Sequence, residues 1–290
     1  MNLTRRHFLQ TSATGLAAAA IPHCLWAQTR IDMGEIRVDT LRDGHLNVPA
    51  DVVFGPMEPA RLAPILARHG IGPGPLTPDC NVTLMRDGTR TILFDTGSGP
   101  AFQQTAGKLV AALDAVDMAP GDITHVVFTH CHPDHLWGVL DDFDDPLFPQ
   151  ATHMMGRDEW AFWFAPETAE TIQPERTTMA VGARRRMEIL EDSMDLFDDG
   201  DEILPGVAAH ATYGHTPGHM SFELRSGSDS LLVVGDAIGN HHVGFARPGW
   251  ISGSDQDGEM AAATRLREAL REDDLSARVG GDEFMVLTPP

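Results

Sequence analysis

Six consecutive residues of this chain carry an unusual density of side chains that can bind a metal ion. They are His130, Cys131, His132, Pro133, Asp134 and His135, so three imidazoles and one carboxylate fall together. Zinc accepts imidazole nitrogens and carboxylate oxygens as ligands, and a catalytic zinc site keeps one position open for water. A single histidine is usually an ordinary core or surface residue, but four such groups in one loop predict a metal site.

A buried strand is predicted immediately before this loop, because residues 124–129 form a short and nearly continuous apolar run. In an extended loop after that strand, His130 and His132 point to the same side and Cys131 points away from them. We therefore expect Cys131 to take no part in the chemistry. Asp134 and His135 are expected to turn toward a neighbouring position.

Strands and helices alternate along the rest of the chain. Apolar and alternating patterns predict strands at 36–41, 81–85, 91–94, 207–211, 220–224 and 230–234. Asp87-Gly88 predicts a hairpin turn between the second and third of these strands. Helical spacing occupies 108–116, a long region at 156–197 and an amphipathic segment at 260–271. This alternation predicts an α/β protein.

The loop pattern resembles the H-x-H-x-D-H signature of the metallo-β-lactamase superfamily. Three further elements follow in that family's order: an Asp-x-Gly element at Asp95, the stretch Gly214–His219, and Gly235-Asp236 after an apolar run. The resemblance covers roughly residues 34–270. It implies an αββα sandwich with the metal site at one sheet edge.

The resemblance also implies which side chains bind metal. His130, His132 and His215 would hold a first ion, and Asp134, His135 and the bridging Asp236 would hold a second. The expected cofactor is zinc, with one or two ions per chain and other divalent metals open. Asp95 and His219 would support these ligands without binding the metals.

The activity implied is hydrolysis by metal-activated water, because zinc lowers the pKa of water to about 7. Asp134 is the predicted catalytic residue, orienting that water. The stretch Gly214–His219, the long helical region at 156–197 and the export signal described below together resemble the exported lactonase and organophosphate-hydrolase branch. We therefore expect an ester, lactone or phosphotriester as substrate. Two alternatives remain open: a β-lactamase-type hydrolase of cyclic amides, and a non-catalytic metal-binding remnant of a fusion.

The C-terminal part departs from the family pattern. The family supplies one more second-site histidine near its end, and this chain has no histidine after His242. Its last stretch instead resembles a fragment of a GGDEF domain, with Gly280-Gly281-Asp282-Glu283-Phe284 as the signature. We therefore divide the chain into 1–27, 34–270 and a tail at 271–290, and predict a weakened second metal site. His241, His242, Asp282 and Glu283 are candidate substitutes for the missing ligand.

The N-terminus predicts an export signal. Arg5-Arg6 precedes an Ala-rich apolar run at 16–21, and a small residue, Ala27, stands at the expected cleavage point. The arginine pair resembles the twin-arginine type, with an ordinary secretory signal as the alternative. The apolar run is far shorter than the ~20 residues of a transmembrane helix. We expect a periplasmic or secreted protein with no membrane anchor after cleavage.

The net charge of the chain limits which kinds of binding partner are expected. The 290 residues include 42 acidic and 21 basic side chains, a formal net charge of −21. This excess disfavours nucleic acid and anionic membranes as partners, which leaves a small-molecule substrate. The sequence leaves the oligomeric state open, and also whether Cys80 and Cys131 are paired.

An aromatic cluster and one tyrosine are candidates for a role in substrate binding. Trp160, Phe162, Trp163 and Phe164 predict either helix-core packing or an apolar mouth above the metals. Tyr213 lies two residues before His215 and is either a hydrogen-bond donor to substrate or an ordinary loop residue.

Overall fold

Two β-sheets form the centre of the molecule. The computed structural model describes residues 27–267, 275–280 and 283–288. The strands, β1 to β13 in chain order, are Ala27–Met33, Ile36–His45, Asp79–Arg86, Thr91–Phe94, His125–Phe128, Thr152–Gly156, Met194–Phe197, Glu202–Leu204, Val207–Ala211, Met220–Ser226, Asp229–Val233, Leu275–Gly280 and Glu283–Thr288.

The first sheet contains β1 to β7 in sequence order. Neighbours from β1 to β4 pair antiparallel, and those from β4 to β7 pair parallel. The predicted hairpin between β3 and β4 is confirmed, with Arg86 opposite Thr91. The central strands β4 and β5 are mostly apolar and buried, as expected for strands that are covered on both faces.

The second sheet has the order β12-β13-β11-β10-β9-β8 and is antiparallel throughout. Its last two strands come from the segment that resembles a GGDEF fragment. The backbone of β13 pairs with β11, placing Met285 opposite Val233. The rest of that segment, including Asp282, lies outside the described residues, as do residues 1–26 of the predicted export signal.

The helices lie between and after the strands. In chain order α1 to α9 are Ala50–Phe54, Pro59–Arg68, Leu109–Asp114, Pro133–Leu136, Arg157–Phe164, Thr168–Thr171, Thr177–Leu190, His241–Ala246 and Gly258–Arg267. One-turn 3-10 helices occupy Pro120–Asp122, Trp137–Val139, Pro174–Arg176, Glu191–Ser193 and Gly235–Ala237. The long helical region predicted at 156–197 is divided into α5, α6 and α7, since Pro166 and Pro174 interrupt it. Its last four residues form β7 rather than helix.

Two hydrophobic cores separate these layers. One lies between the first sheet and its helices, where Leu93 and Phe128 are buried together with Trp163 and Met187. The other lies between the two sheets, where Phe94 contacts Phe222 with ring centroids 5.2 Å apart. The α/β sandwich predicted from the sequence is thereby confirmed.

A smaller cluster packs the helices beside the site. Phe54 of α1, Leu62 of α2 and Val243 of α8 are buried against one another. Within the described residues, no helix is long and apolar enough to cross a membrane.

Candidate metal centre

Three loops meet where strands of both sheets end. His130 and His132 follow β5 of the first sheet, His215 lies between β9 and β10, and Asp236 follows β11 of the second sheet. Each of these side chains comes from a strand end, so the rigid sheets position all three loops. Folding therefore brings together predicted ligands that lie more than 100 positions apart in the chain.

The first cluster consists of three imidazole rings with converging nitrogens. Nδ1 of His132 lies 3.0 Å from Nε2 of His130 and 2.9 Å from Nε2 of His215. All three rings are buried, with at most 7% of each exposed. These three side chains form one of the two groups of potential metal ligands among the described residues.

The second cluster lies against the first. His130, His135 and Asp236 form the other group, with ligand atoms within 4.8 Å of one another. Nε2 of His135 lies 3.5 Å from Oδ1 of Asp236 and 3.4 Å from Oδ2 of Asp134. Asp134 therefore lies beside this group without belonging to it. Of the candidate substitutes, His241 and His242 are in neither group, and the side chains of Asp282 and Glu283 lie outside the described part of the chain.

The histidines differ in their affinity for protons. Burial lowers the pKa of His130 and of His132 well below the ordinary value, so both rings are neutral at pH 7. Burial also lowers the pKa of His135, but Asp134, Asp236 and Asp95 outweigh it and raise that pKa well above the ordinary value. For His215, burial is likewise outweighed by Asp236 and Asp255, giving a pKa of about 9.

Asp95 holds His135 in place, as the resemblance implied. Its Oδ2 lies 2.8 Å from Nδ1 of His135. The same carboxylate accepts hydrogen bonds from the backbone N–H and the hydroxyl of Thr129, at 2.8 and 2.7 Å. Asp95 has φ of +69°, a left-handed conformation that non-glycine residues seldom adopt. The carboxylate thus joins the end of β4 to the loop after β5.

His219 lies behind the site. Its Nε2 accepts a hydrogen bond from the backbone N–H of Asp236 at 3.1 Å, and its Nδ1 lies 2.8 Å from Oγ1 of Thr212. Both ring nitrogens are therefore engaged away from the converging cluster. The ring fixes the backbone of Asp236.

Asp255 positions His215, a role that the sequence motifs did not reveal. Its Oδ1 lies 3.2 Å from Nδ1 of His215, and its Oδ2 is 3.1 Å from both Nη1 and Nη2 of Arg265. Arg265 also donates to the carbonyls of residues 237, 248 and 250. Both charged side chains are buried, so the ion pair is a fixed support for the imidazole.

Glu159 is a second positioning residue absent from the sequence analysis. Its Oε1 accepts from the backbone N–H of Cys131 at 2.8 Å and from Nε1 of Trp163 at 2.7 Å. Its Oε2 accepts from the hydroxyl of Thr216 at 2.6 Å and the N–H of Gly218 at 3.0 Å. Burial raises its pKa to about 7, although the four hydrogen bonds act against that rise. One carboxylate thus connects the loop of His130 and His132 to the loop of His215.

Gly218 allows this connection. A Cβ at this position would lie 2.0 Å from the backbone nitrogen of Glu159. Only glycine permits the His215 loop to approach the start of α5 so closely.

A cavity of about 1170 Å³ opens above the clusters. His132, Asp134, His135, His215 and Asp236 form part of its wall. Apolar side chains from residues 46–53 and 71–78 form much of the rest. A small organic molecule fits such a space.

The aromatic residues weighed for the cavity mouth pack elsewhere. Trp160, Phe162 and Phe164 pack partly buried against the helix-side core, and Trp163 is fully buried. None of the four lines the cavity. The hydroxyl of Tyr213 donates to Oδ2 of Asp158 at 2.7 Å, so the substrate-donor interpretation of Tyr213 was wrong.

The two cysteines in the described part of the chain form no disulfide. Cys80 and Cys131 are both free and buried. Sγ of Cys131 lies 3.5 Å from Sδ of Met155 in the core, as expected for a side chain turned away from the neighbouring histidines.

The donor set fits a zinc ion. Nε2 of His130 and Nε2 of His215 both lie within 3.0 Å of Nδ1 of His132, and burial keeps the His130 and His132 rings neutral by lowering their pKa. Structural and catalytic zinc sites use this nitrogen-rich donor set, whereas calcium and magnesium take oxygen. The observed second set adds carboxylate oxygens, which zinc also accepts.

Comparison with known proteins agrees with this geometry. The sequence profile described as "Metallo-beta-lactamase superfamily" matches residues 77–279. Two curated relatives are both named N-acyl homoserine lactonase AttM. The one from Agrobacterium fabrum is 26% identical over 60% of this chain, and the one from Azorhizobium caulinodans is 31% identical over 53%. The aligned regions span 63% and 56% of those lactonases.

Solved structures extend the similarity across most of the fold. The hydrolase AbOPH in the beta lactamase superfamily is 26% identical, with a TM-score of 0.76 over 83% of this chain and 84% of that chain. AidC, a dizinc quorum-quenching lactonase, has a TM-score of 0.77 over 84% of this chain and 86% of its own, at 23% identity.

Proposed function

Because the chain belongs to the metallo-beta-lactamase superfamily, we propose that it is a zinc-dependent hydrolase of esters, lactones or phosphotriesters. The convergence of ring nitrogens from His130, His132 and His215, the last two of which line the cavity, carries this proposal. A packing role does not explain why the nitrogens of three buried rings lie so close together. A metal ion at that point satisfies all three.

Each protein group has a defined part in the reaction. A bound zinc ion supplies Lewis-acid polarisation of the substrate carbonyl and lowers the pKa of water to about 7. Asp134 borders the cavity beside His135. From there its carboxylate orients the attacking water and accepts a proton from that water. Asp255 and Asp95 keep His215 and His135 in their orientations.

Lactones are the favoured substrates within this class. Two curated relatives carry the name N-acyl homoserine lactonase. The largely apolar loops at 46–53 and 71–78 in the cavity wall suit a substrate with an apolar portion. A lactone needs no separate nucleophilic side chain, which agrees with the buried, inward-facing Cys131.

The second metal position is proposed to bind more weakly than the first. Among the described residues, its protein donors are His135, Asp236 and the neighbouring Asp134, with His130 shared between the two groups. His241 borders the cavity but belongs to neither group. The first position has three imidazoles and therefore the stronger donor set.

Export through the twin-arginine route is also part of the proposal. Its basis is the Arg5-Arg6 pair and the short apolar run that follows. N-terminal sequencing of the protein recovered from the periplasm or medium should begin near residue 28. An unprocessed chain retained in the cytoplasm would contradict this part.

A substrate panel tests the activity. Zinc-loaded protein is assayed with a 4-nitrophenyl ester, an N-acyl homoserine lactone, a phosphotriester and a chromogenic cephalosporin. We expect the lactone or ester to exceed the cephalosporin in kcat/KM by about tenfold or more, which corresponds to ~1.4 kcal/mol of transition-state stabilisation. Removal of zinc by a chelator should abolish turnover, and added zinc should restore it.

Two results decide against the proposal. Faster turnover of the cephalosporin would identify a β-lactamase-type enzyme. Stabilisation by zinc without hydrolysis of any substrate would identify a non-catalytic metal-binding protein.

A further inference from the structure

Arg176 places a positive charge in the cavity wall next to a predicted metal ligand. It ends the 3-10 helix Pro174–Arg176 and directly precedes α7. Both Arg176 and His132 line the cavity. Nη1 of Arg176 lies 3.3 Å from Nε2 of His132, the nitrogen turned away from the cluster.

Among the described residues no carboxylate forms a close ion pair with this guanidinium, although the more distant Asp255 acts on it and partly opposes the lowering of its pKa by burial. In the described part of the chain, no Asp or Glu lies within 4.0 Å of Arg176, whereas Arg30, Arg42, Arg86 and Arg265 all pair with aspartates. Nη2 of Arg176 donates to the carbonyl of Ser254 at 2.6 Å and approaches that of Gly253 at 3.5 Å. A guanidinium has five N–H donors, so these contacts leave some donors of Arg176 available to bind another acceptor.

The contact with His132 changes when Nδ1 of that ring is occupied. A neutral imidazole carries one proton, which moves to Nε2 when Nδ1 gives its lone pair to a metal. Nε2 then becomes a donor and faces Nη1 of Arg176, also a donor, across 3.3 Å. Two facing donors repel unless an acceptor binds both of them.

We infer that Arg176 and Nε2 of His132 form a binding subsite for a carboxylate group on the substrate, beside the reacting bond. This inference rests on the proposed function, because it concerns the same cavity. A carboxylate has two planar oxygens that match the forked donors of a guanidinium. It also accepts from the imidazole N–H and supplies a negative charge at the contact distance that no described Asp or Glu reaches.

The subsite predicts a preference among hydrolase substrates. An ester or lactone that carries one free carboxylate should bind better than its neutral analogue. The formal net charge of −21 does not oppose this, because a single charge is held at short range by Arg176.

The subsite can be tested without turnover by measuring the binding of two small amides, one with a carboxylate and one without. Calorimetric titration compares glutaramate, which has one carboxylate and an amide, with the neutral glutaramide on zinc-loaded protein. Arg176→Gln keeps an N–H donor for the Ser254 carbonyl but removes the charge. Arg185→Gln is the matched control, because Arg185 is an exposed residue of α7 that pairs with Asp144.

We expect Arg176→Gln to weaken glutaramate binding by about tenfold or more relative to glutaramide, since hydrogen bonds to charged groups contribute strongly. Arg185→Gln should bind as the wild type does. If Arg176→Gln does not fold, Arg176→Lys serves instead: it keeps the charge but loses the fork, and should give a smaller but measurable loss. Equal glutaramate affinity in wild type and a folded Arg176 variant would overturn the subsite.

This outcome is separate from the fate of the proposed activity. A protein that hydrolyses nothing in the panel, yet binds glutaramate through Arg176, keeps the subsite and loses the hydrolase assignment. A protein that hydrolyses lactones but binds glutaramate independently of Arg176 does the reverse.

Discussion

Oδ1 of Asp255 lies 3.2 Å from Nδ1 of His215, opposite the nitrogen that His215 directs at His132. This carboxylate–histidine pair fixes which ring nitrogen bears the proton. Nε2 of His215 is therefore the nitrogen that a metal ion would bind, displacing the proton that a pKa of about 9 keeps on the ring at pH 7. Since Arg265 holds the other oxygen of Asp255, the imidazole orientation is set by a buried charge network and not by the flexible loop alone.

Asp255→Asn should lower the zinc affinity of the first site. The amide removes the negative charge that favours the correct ring proton, and such supporting groups are worth about 10–100-fold in metal affinity. Competition with a chromophoric chelator measures the change. Glu259→Gln, an exposed substitution in the first turn of α9, is the control and should leave the affinity unaltered. Equal zinc affinity in Asp255→Asn and wild type would remove Asp255 from the site.

Glu159→Gln should destabilise the fold and both ligand loops. The amide nitrogen of the new glutamine replaces a carboxylate oxygen that accepts two hydrogen bonds. The backbone N–H of Gly218 or of Cys131 therefore loses its acceptor. An unsatisfied buried donor costs about 1–3 kcal/mol, and we expect a loss of that size in the free energy of unfolding. Urea denaturation measures it. Glu188→Gln, at an exposed ion pair on α7, should change stability by less than about 0.5 kcal/mol.

His153 should make the protein less stable in mild acid. Burial lowers the pKa of its imidazole from 6.5 to about 4, and neither ring nitrogen has a hydrogen-bond partner in the described part of the chain. The unfolded chain therefore takes up this proton first as the pH falls. The free energy of unfolding therefore decreases by up to about 3 kcal/mol as the pH falls from about 6.5 to about 4.

Replacing His153 by leucine should remove that part of the pH dependence. Denaturant unfolding at pH 7 and pH 5 measures the difference for wild type and variant. His210→Gln, at a half-exposed ring on β9, is the control and should retain the wild-type difference. An unchanged pH dependence in His153→Leu would show that the buried ring is not its source.

Metal stoichiometry should reveal two unequal sites. Titration of zinc into metal-free protein should show one tight ion and a second that binds about tenfold or more weakly, because the second donor set has fewer imidazoles. Asp236→Asn should affect the weak phase more than the strong one. Two zinc ions of equal high affinity would contradict the weakened second site.

Local sequence patterns were sufficient to predict the parts of the fold that depend on neighbouring residues. The strands around 81–85, 91–94 and 124–129 have periodic or continuous apolar runs, and their positions agree with β3, β4 and β5. The loop from His130 to His135 could be recognised because its candidate ligands are adjacent in sequence. His215 and Asp236 were found only through resemblance, since nothing in their own spacing places them beside His130.

The supporting residues could not be predicted because their roles depend on contacts made by folding. Glu159 meets Gly218 59 positions later in the chain, and Asp255 meets His215 across 40 positions. Arg176 lies in a helical insertion with no motif. Conversely, Tyr213 is close to His215 in sequence, but its side chain is directed at Asp158. Sequence proximity to a ligand does not determine where a side chain points.

His130, His132 and His215 are expected to bind the zinc ion on which hydrolysis depends. The most direct measurement is zinc content per chain, together with lactone hydrolysis, for purified wild type and His130→Ala. The wild type should retain at least about one tightly bound zinc and hydrolyse the lactone. His130→Ala should lose both the tight zinc and the activity while remaining folded. Unchanged zinc content in His130→Ala would contradict the account.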